Sequence, residues 1–421
     1  MSRVLIYTSP AKGHLTPVRT AAIELAGRGH TVHVRTLAGE VEGIQALGME
    51  ASPIDPRIED REMDDWKATS TMAALRRGMN AFADRAPYEV EDLQSAISAF
   101  SPDSLVIDTN TWGAQAAAEA SALPWATFQP YFTPLPGAGV PPFGPGLRRM
   151  TGPLGLLRDG MLGKAVVGKL TSLMLPSVND VRSSLGLPPV ESLSDTLTLA
   201  PLVLYFTVPE LDYPRDQWPP SYRFVGPGAA EDAPPPEWLD EVDQPIVLVT
   251  CSTEQQGDRA LVQTALESLP AAGYFVVATT GAHDPAGFDV SADGVVLERF
   301  LPHGSVLPRA AAVVCHGGMG ITQRALASGV PVVVVPYGRD QLEVARRVEH
   351  AGVGVRLPRK RLNPEALTAA VRQASALGED AVRMAEHISE AGGGRAAADA
   401  VEALMKARGT ETVTEDNRGG H

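Results

Sequence analysis

The sequence predicts an α/β protein built from two Rossmann-like domains. The chain has 421 residues, more than one hydrophobic core usually accommodates and enough for two domains of this type. One β-α-β pattern opens the chain, and a second lies between residues 311 and 341. In both, short apolar runs alternate with a helix-like segment, which is typical of a parallel sheet covered by helices.

The opening segment has the spacing of a β-α-β unit. Residues 4–7 form an apolar strand-like run, and a loop through His14 leads to a helix that we expect from Pro17 to Ala26. Proline is tolerated in the first turn of a helix, and a second strand follows at 31–36. The loop after the first strand lies at the ligand-binding edge of such a sheet, so His14 is a candidate site residue. Without further context, a lone histidine beside a helix start is more often a polar cap.

A later strand ends in a carboxylate at the same edge. Residues 60–99 have helical spacing, and residues 102–108 then have the pattern of a strand that ends at Asp108 and precedes a helix over 111–120. Because the carboxyl ends of parallel strands meet at one edge, we expect Asp108 to lie near His14. The alternative is an ordinary helix N-cap, a position that aspartate favours.

The middle of the chain changes composition. Pro-Gly clusters occupy residues 134–146, and residues 154–175 are apolar and nearly free of acidic side chains, as in packing helices. A proline-rich run follows, and we place the linker between the domains at 226–236. A strand at 245–250 then opens the second domain.

The stretch 311–341 carries most of the functional signal. An apolar strand at 311–315 breaks into HGGMG at 316–320, where glycines permit tight turning and close approach of the backbone. A helix over 321–328 would present free N–H groups and its positive dipole end to an anion. The next strand, 332–335, leads to Asp340 and Gln341 at the ligand-binding edge. With no ligand, the same glycines would form an ordinary strand-to-helix turn.

This stretch resembles the donor-binding signature of family-one glycosyltransferases, which use UDP- or TDP-sugars and include bacterial natural-product enzymes. The resemblance extends through Met405 and implies the GT-B fold, in which two Rossmann-like domains face each other across a cleft. The implied donor site comprises His316, Gly317, Gly318, Gly320 and Thr322 for the diphosphate, and Asp340 and Gln341 for the sugar hydroxyls. Ile321 stands where the family commonly has a hydroxyl residue.

Four more donor-site residues follow from the same resemblance. Ser252 and Thr253 stand where the family has a Gly-(Ser/Thr) turn against the diphosphate, so a serine replaces that glycine and both hydroxyls can donate. Leu301 and Pro302 match the segment that holds the nucleotide base.

The resemblance also assigns the reaction centre. The histidine of the N-terminal loop is the catalytic base in this family, which gives that role to His14, and the matching carboxylate, Asp108, would orient its ring. Residues 129–189 correspond to the acceptor region, where we expect mobile loops and helices that form an apolar groove.

The implied domain organisation has five parts. They are an acceptor-binding domain at 1–225, the linker at 226–236, a nucleotide-sugar domain at 237–391, a helix at 392–408 that crosses back to the first domain, and a flexible tail at 409–421.

These assignments predict an inverting, metal-independent hexosyltransferase. It would move a hexose from a UDP- or TDP-sugar, used as co-substrate without further cofactor, to a hydroxyl of an apolar natural product. No Asp-X-Asp metal motif stands in a suitable place, since Asp64-Asp65 lacks the middle residue. Two alternatives remain: a sugar-nucleotide hydrolase or epimerase on the same fold, and a non-catalytic partner of another transferase.

Composition narrows the partners. The formal net charge of −14 argues against a nucleic acid or an anionic membrane surface. Cys251 and Cys315 both end strand-like runs, so we expect buried thiols and a reducing, cytoplasmic location. The sequence shows neither a signal-peptide pattern nor a run of about 18 apolar residues. We therefore expect no membrane span, and a monomer or homodimer that binds only a sugar nucleotide and an acceptor.

Overall fold

The computed structural model describes residues 1–228, 233–254 and 256–416, with side chains as far as residue 407. These residues form two parallel β-sheets, one in each half of the chain, packed against helices. The predicted α/β class with two Rossmann-like domains is therefore confirmed. The predicted linker lies partly outside the described residues, which omit 229–232.

The first sheet has seven parallel strands in the order β3-β2-β1-β4-β5-β6-β7. They are β1 (Arg3–Tyr7), β2 (Thr31–Thr36), β3 (Glu50–Pro53), β4 (Ser104–Asp108), β5 (Trp125–Gln129), β6 (Leu202–Tyr205) and β7 (Tyr222–Phe224). Strands β4, β5 and β6 are buried along their whole length, as expected when helices cover both faces of a parallel sheet.

Seven helices accompany this sheet within the described residues. They are α1 (Lys12–Gly27), α2 (Val41–Gln45), α3 (Pro56–Glu59), α4 (Thr71–Phe100), α5 (Trp112–Ala120), α6 (Pro153–Ser184) and α7 (Leu193–Thr198). Helix α4 begins after Ser70, whose side chain caps the Ala73 N–H, and a short 3-10 turn, Asp65–Lys67, precedes it. Helix α1 begins before Pro17, so His14 lies in its first turn and not in the preceding loop as predicted.

The second sheet has six parallel strands in the order β10-β9-β8-β11-β12-β13. They are β8 (Ile246–Thr250), β9 (Phe275–Thr279), β10 (Val295–Glu298), β11 (Ala310–Cys315), β12 (Val332–Val334) and β13 (Gly354–Arg356). The helices are α8 (Arg259–Ser268), α9 (Met319–Ala327), α10 (Gln341–His350), α11 (Pro364–Ser375), α12 (Gly378–Ala391) and α13 (Gly394–Asp416). The valines of β8 and β12 are fully buried, which explains their uninterrupted β-branched sequence.

The two halves are joined by buried polar contacts. The Arg347 guanidinium lies 2.6 Å from Asp212 of the first half and 2.8 Å from Glu343 on its own helix. The other Glu343 oxygen accepts hydrogen bonds of 2.8 Å from the backbone N–H groups of Gly144 and Gly146. Because these groups satisfy one another away from water, they fix one wall of the cleft relative to the other.

Helix α13 returns to the first half and packs on α1. Gly394 approaches α1 so closely that a Cβ atom there would lie 2.5 Å from the Thr20 carbonyl oxygen. The helix runs to Asp416, beyond the predicted end at 408, so the first part of the predicted tail is helical, and residues 417–421 lie outside the described residues. Within the described residues no helix combines the length and the apolarity that a membrane crossing requires. Cys251 and Cys315 are buried and unpaired, as predicted.

Candidate active site

A cavity of about 1520 Å³ lies between the two sheets. Both halves of the chain contribute to its walls. The predicted site residues that line it are His14, Ser252, Thr253, His316, Gly318, Gly320, Asp340 and Gln341. The cavity therefore brings together most of a set that is spread over more than three hundred residues of sequence.

The site residues occupy equivalent places in the two sheets. In the first sheet β1 and β4 are neighbours, with Tyr7 opposite Ile107, and the chain leaves them toward opposite sides of the sheet. In the second sheet β8 and β11 are neighbours, with Thr250 opposite Cys315. Such switch points leave a crevice beyond the carboxyl ends of the strands. His14 and Asp108 lie at the crevice of the first sheet. Ser252 and His316 lie at the crevice of the second sheet.

His14 is held by Asp108. Its Nδ1 lies 2.9 Å from Oδ2 and 3.0 Å from Oδ1 of this fully buried carboxylate. Asp108 also accepts hydrogen bonds from the Ser9 N–H at 3.0 Å, the Ser9 hydroxyl at 2.7 Å and the Asn110 N–H at 2.9 Å. Since an ionised carboxylate only accepts, the His14 proton lies on Nδ1 and Nε2 remains the basic nitrogen.

The surroundings of His14 and Asp108 favour the ionised form of both side chains. Burial lowers the pKa of His14, but the charge and hydrogen bond of Asp108 outweigh it and raise the pKa above its ordinary value. Burial raises the pKa of Asp108, but His14 and the backbone donors outweigh it and lower that pKa. Tyr131 packs beside the imidazole, with ring centroids 5.6 Å apart. The arrangement suits His14 to accept a proton at Nε2 while Asp108 stays ionised.

The opposite wall is a helix N-terminus approached through glycines. Gly317 has a φ of 98°, and a Cβ there would lie 2.7 Å from Val334 Cγ1. Gly317 therefore requires glycine, and a Cβ on Gly318 would lie 2.6 Å from Nε2 of His316 and displace that ring. Gly318 caps α9 without a side-chain hydrogen bond, which leaves first-turn N–H groups available to an anion.

His316 is held differently from His14. It is only 7% exposed, and its Nδ1 makes no hydrogen bond with a described residue. The nearest carboxylate, Asp258, has Oδ2 4.0 Å away and accepts hydrogen bonds from the Ser252 N–H at 2.6 Å and His283 Nε2 at 2.9 Å. Burial lowers the pKa of His316 despite that carboxylate. A neutral imidazole can donate one hydrogen bond to a ligand without adding a charge.

Asp340 is the N-cap and Gln341 the first residue of α10, after the loop that follows β12. Burial raises the pKa of Asp340, although the charges of Arg339 and His14 oppose this shift. The Gln341 side-chain oxygen accepts hydrogen bonds from the N–H groups of Tyr337 at 2.7 Å and Gly338 at 3.0 Å, and its amide donates to Gln256. Gln341 therefore shapes the loop in addition to lining the cavity.

Several predicted residues lie outside the cavity lining. Thr322 is fully buried with its hydroxyl 3.8 Å from Cys315 Sγ, so it faces the core rather than a phosphate, and Ile321 lines the cavity instead. Leu301 packs against the core and Pro302 is exposed. Asp108 and Gly317 do not line the cavity themselves. Asp108 holds His14, and Gly317 lies between the lining residues His316 and Gly318.

His303 and Arg339 line the cavity although neither was predicted as a site residue in its own right. His303, next to the predicted base-binding pair, lines the cavity, and burial together with the Arg324 charge lowers its pKa to about 4. Arg339, next to the predicted Asp340, bridges the halves: it lies 3.0 Å from Asp65 of the first half and 2.6 Å from Glu254. Both residues are adjacent in the sequence to predicted site residues, and this adjacency could have identified them. No local sequence pattern links Arg339 to Asp65.

One cluster has the composition of a metal site. The ligand atoms of Cys251, Asp258 and His283 all lie within 4.8 Å of one another. Asp258 already accepts hydrogen bonds from Ser252 and His283, and burial raises the pKa of the Cys251 thiol. A metal would need the thiolate and a free imidazole nitrogen, so this set fits a hydrogen-bonded support for Ser252 and His316 better than a metal centre.

Comparison with known proteins agrees with the architecture. Residues 264–404 match the family model of the erythromycin biosynthesis protein CIII-like C-terminal domain. Over 385 residues the chain is 33% identical to 4'-demethylrebeccamycin synthase of Lentzea aerocolonigenes, covering 88% of this chain and 91% of that protein.

Solved structures share the whole fold. The glycosyltransferase of kitacinnamycin superposes with a TM-score of 0.75 at 22% identity, covering 96% of this chain and 99% of that one. The glycosyltransferase VinC, solved in complex with dTDP, has a TM-score of 0.67 at 22% identity, with coverage of 96% and 99%. These likenesses confirm the predicted GT-B fold.

Proposed function

This chain belongs to the GT-B glycosyltransferases of natural-product biosynthesis, and from that premise we propose that it moves a hexose from a UDP- or TDP-sugar to a hydroxyl of an apolar small molecule, with inversion. The observation that carries the proposal is a single cavity with complementary walls. One wall holds a basic histidine paired with a carboxylate, and the other holds an uncapped helix N-terminus beside a neutral histidine.

His14 acts as the general base. Its Nε2 takes the proton of the acceptor hydroxyl as that oxygen bonds to the anomeric carbon and the bond to the diphosphate oxygen breaks. Asp108 stabilises the imidazolium that forms, as a carboxylate does in a catalytic triad. The raised pKa of His14 supports this role, because proton transfer to it becomes more favourable.

The leaving diphosphate binds at the start of α9. First-turn N–H groups, the positive end of the helix dipole and one N–H of His316 converge there on the negative charge that develops during departure. Backbone donors of this kind need no metal, so we propose a metal-independent reaction. Full activity in EDTA is the expected result, and an activity that EDTA abolishes and magnesium restores would contradict it.

We assign the remaining contacts with the sugar nucleotide from the positions of the residues that line the cavity. Asp340 accepts hydrogen bonds from sugar hydroxyls, Ser252 and Thr253 face the phosphates, and the segment around His303 holds the base. The dTDP complex of VinC supports a TDP-sugar as one candidate donor.

The acceptor occupies the first-half side of the cavity. Helices α4, α5, α6 and α7 line it with apolar side chains, among them Met79, Phe82, Trp112, Leu170, Met174 and Leu197. Aromatic and methionine side chains favour a large, flat apolar substrate. The two buried free thiols support action in a reducing compartment such as the cytoplasm. We also propose that the enzyme acts as a monomer or homodimer.

A donor screen with anomeric analysis tests the proposal. UDP- and TDP-glucose are offered with a hydroxylated aromatic acceptor, and the coupling constant of the product's anomeric proton is measured by NMR. An α-configured donor should give a β-linked product only when acceptor is present. Retention of configuration, or equal release of free sugar without acceptor, would show that the proposal is wrong.

A further inference from the structure

An arginine continues the apolar stripe of α4 that lines the cavity. Leu75, Met79 and Phe82 follow one another at helical spacing and face the cavity, and Arg85 is the next residue of that stripe. Arg85 is only 4% exposed. A cation at a position where the pattern requires an apolar side chain is costly unless it has a specific partner.

Arg85 has few partners within the described residues. Its Nη2 donates to the Arg61 carbonyl, and its Nε is buried without a hydrogen-bond partner. Two other cationic side chains that line the cavity are paired with carboxylates: Arg182 lies 2.5 Å from Glu119, and Arg339 pairs with Asp65 and Glu254. An incompletely satisfied, buried guanidinium distinguishes Arg85 from these.

The two acidic groups nearest to Arg85 along α4 have other partners. Asp84 pairs with Arg61 at 2.9 Å. Glu89, one turn further, accepts a hydrogen bond of 2.9 Å from the Gly113 N–H. Burial raises the pKa of Glu89 to about 8 although the Gly113 N–H and the charge of Arg85 oppose this shift, so the neutral form of the carboxyl is favoured. Burial also lowers the pKa of Arg85, but an arginine remains charged at neutral pH. Within the described residues no carboxylate forms an ion pair with Arg85, although the charges of Glu89 and Glu254 act on it at longer range.

We infer that Arg85 binds an oxygen of the acceptor, and that the acceptor is a flat, mostly apolar ring system bearing a carbonyl or ionised oxygen on the edge that faces α4. The inference rests on the proposed function, because it assigns this half of the cavity to the acceptor. The Phe82 and Trp112 rings, with centroids 5.6 Å apart, supply the apolar surface next to the guanidinium. A charged donor to a desolvated oxygen gives both orientation and discrimination.

Two matched probes test the inference. 2-Hydroxyanthraquinone and 2-hydroxyanthracene share the ring system and the hydroxyl, and differ in the two carbonyl oxygens. Dissociation constants are measured by calorimetry for the wild type, Arg85→Met and Arg85→Lys. Arg85→Met should weaken the quinone by about 10- to 100-fold, as expected for a lost hydrogen bond to a charged group, and change the anthracene by less than about 3-fold. Arg85→Lys should restore part of the difference.

Controls separate this inference from folding and from the proposed function. Arg77→Met makes the same change on an exposed part of α4, where Arg77 pairs with Asp64, and should alter neither probe. Equal losses for both probes, or no loss for the quinone, would overturn the inference even when the wild type transfers sugar to them. If Arg85→Met fails to fold, the ratio of the two constants in Arg85→Lys decides. A wild type that neither binds nor glycosylates either ring would overturn the proposed acceptor class and the inference with it.

Discussion

The two walls of the cleft each carry a histidine and a buried aspartate, but the pairs differ in spacing. His14 Nδ1 lies 2.9 Å from Asp108, whereas His316 Nδ1 lies 4.0 Å from Asp258. Asp108 accepts hydrogen bonds from the backbone and Ser9 and still holds the imidazole. Asp258 instead accepts hydrogen bonds from the Ser252 N–H and from a third histidine, His283.

The difference teaches how one residue type acquires opposite properties on one fold. Burial disfavours the charged imidazole in both places, and only direct contact with a carboxylate reverses that effect. The pKa of His14 is accordingly raised and that of His316 lowered. We infer that the first is suited to accept a proton and the second to donate a hydrogen bond while it stays neutral.

The strongest test of this contrast is His14→Ala. Loss of the base should slow single-turnover transfer by about 10²- to 10⁴-fold while the dissociation constant of the donor stays nearly unchanged. Rapid-quench kinetics and calorimetry measure the two quantities. His33→Ala, which removes a histidine of β2 that does not line the cavity, is the control. Transfer at the wild-type rate by His14→Ala would show that the base has been misassigned.

The second test, Asp108→Asn, addresses the carboxylate. We expect transfer to fall by at least about 10-fold but less than in His14→Ala, because the ring loses orientation and its imidazolium loses a counter-charge. The double variant should lose less than the sum of the single effects, since the pair acts as one unit. An additive double variant would contradict the pairing.

The same variant should change the pH dependence. Protonated His14 cannot act as a base, so kcat/KM rises with pH through the pKa of His14. Asp108 raises that pKa, and its replacement by asparagine should therefore move the acid limb to lower pH. A pH profile of kcat/KM for the wild type and Asp108→Asn measures the shift, and an unchanged or upward-shifted limb would refute the electrostatic part of the comparison.

On the other wall, His316→Ala should act on binding as well as on rate. One hydrogen bond to the diphosphate is lost, so dTDP or UDP should bind roughly 10-fold more weakly, equivalent to about 1.4 kcal/mol. Departure of the leaving group should also slow. Calorimetry with the nucleotide alone isolates the first effect, and unchanged nucleotide affinity would remove His316 from the donor site.

The smallest effect on catalysis is expected from Asp258→Asn. If the longer contact with His316 is a support rather than an ion pair, transfer and its pH profile should change by less than about 3-fold. The free energy of unfolding should fall by about 1–3 kcal/mol, because one of two buried hydrogen bonds to this side chain is disturbed. A loss of transfer as large as in Asp108→Asn would mean that the two pairs are equivalent after all.

Sequence patterns predicted the parts of this site that depend on local rules. The carboxyl ends of parallel strands lie at one edge of the sheet, and this rule was enough to predict that His14 and Asp108 lie together. The same patterns missed β3, which is partly exposed and ends in proline, and β13, which has three residues. Strand β5 was missed because its buried run contains Thr127 and Gln129.

Contacts that depend on side-chain direction or on two distant segments were beyond those patterns. Thr322 was expected at the phosphate because it follows Ile321, but the next residue of a helix points about 100° away, and here toward Cys315. Asp258 reaches His316 because the loop after β8 folds back, and Arg339 reaches Asp65 across the cleft. The helical and strand periods of 3.6 and 2 residues contain no information about such contacts between distant segments.

The return of α13 to the first half has a consequence for building hybrid enzymes. Ala397, Ala398 and Val401 share a hydrophobic core with Val18 and Leu25 of α1, and Arg28 lies 2.6 Å from Asp399. A hybrid made by a single crossover in the linker would therefore join the first half of one parent to a closing helix selected for another surface. Exchange of the donor-binding half alone requires a second crossover before Gly394. The exchanged piece is then an internal segment of the chain, and α13 stays with the α1 of its own parent.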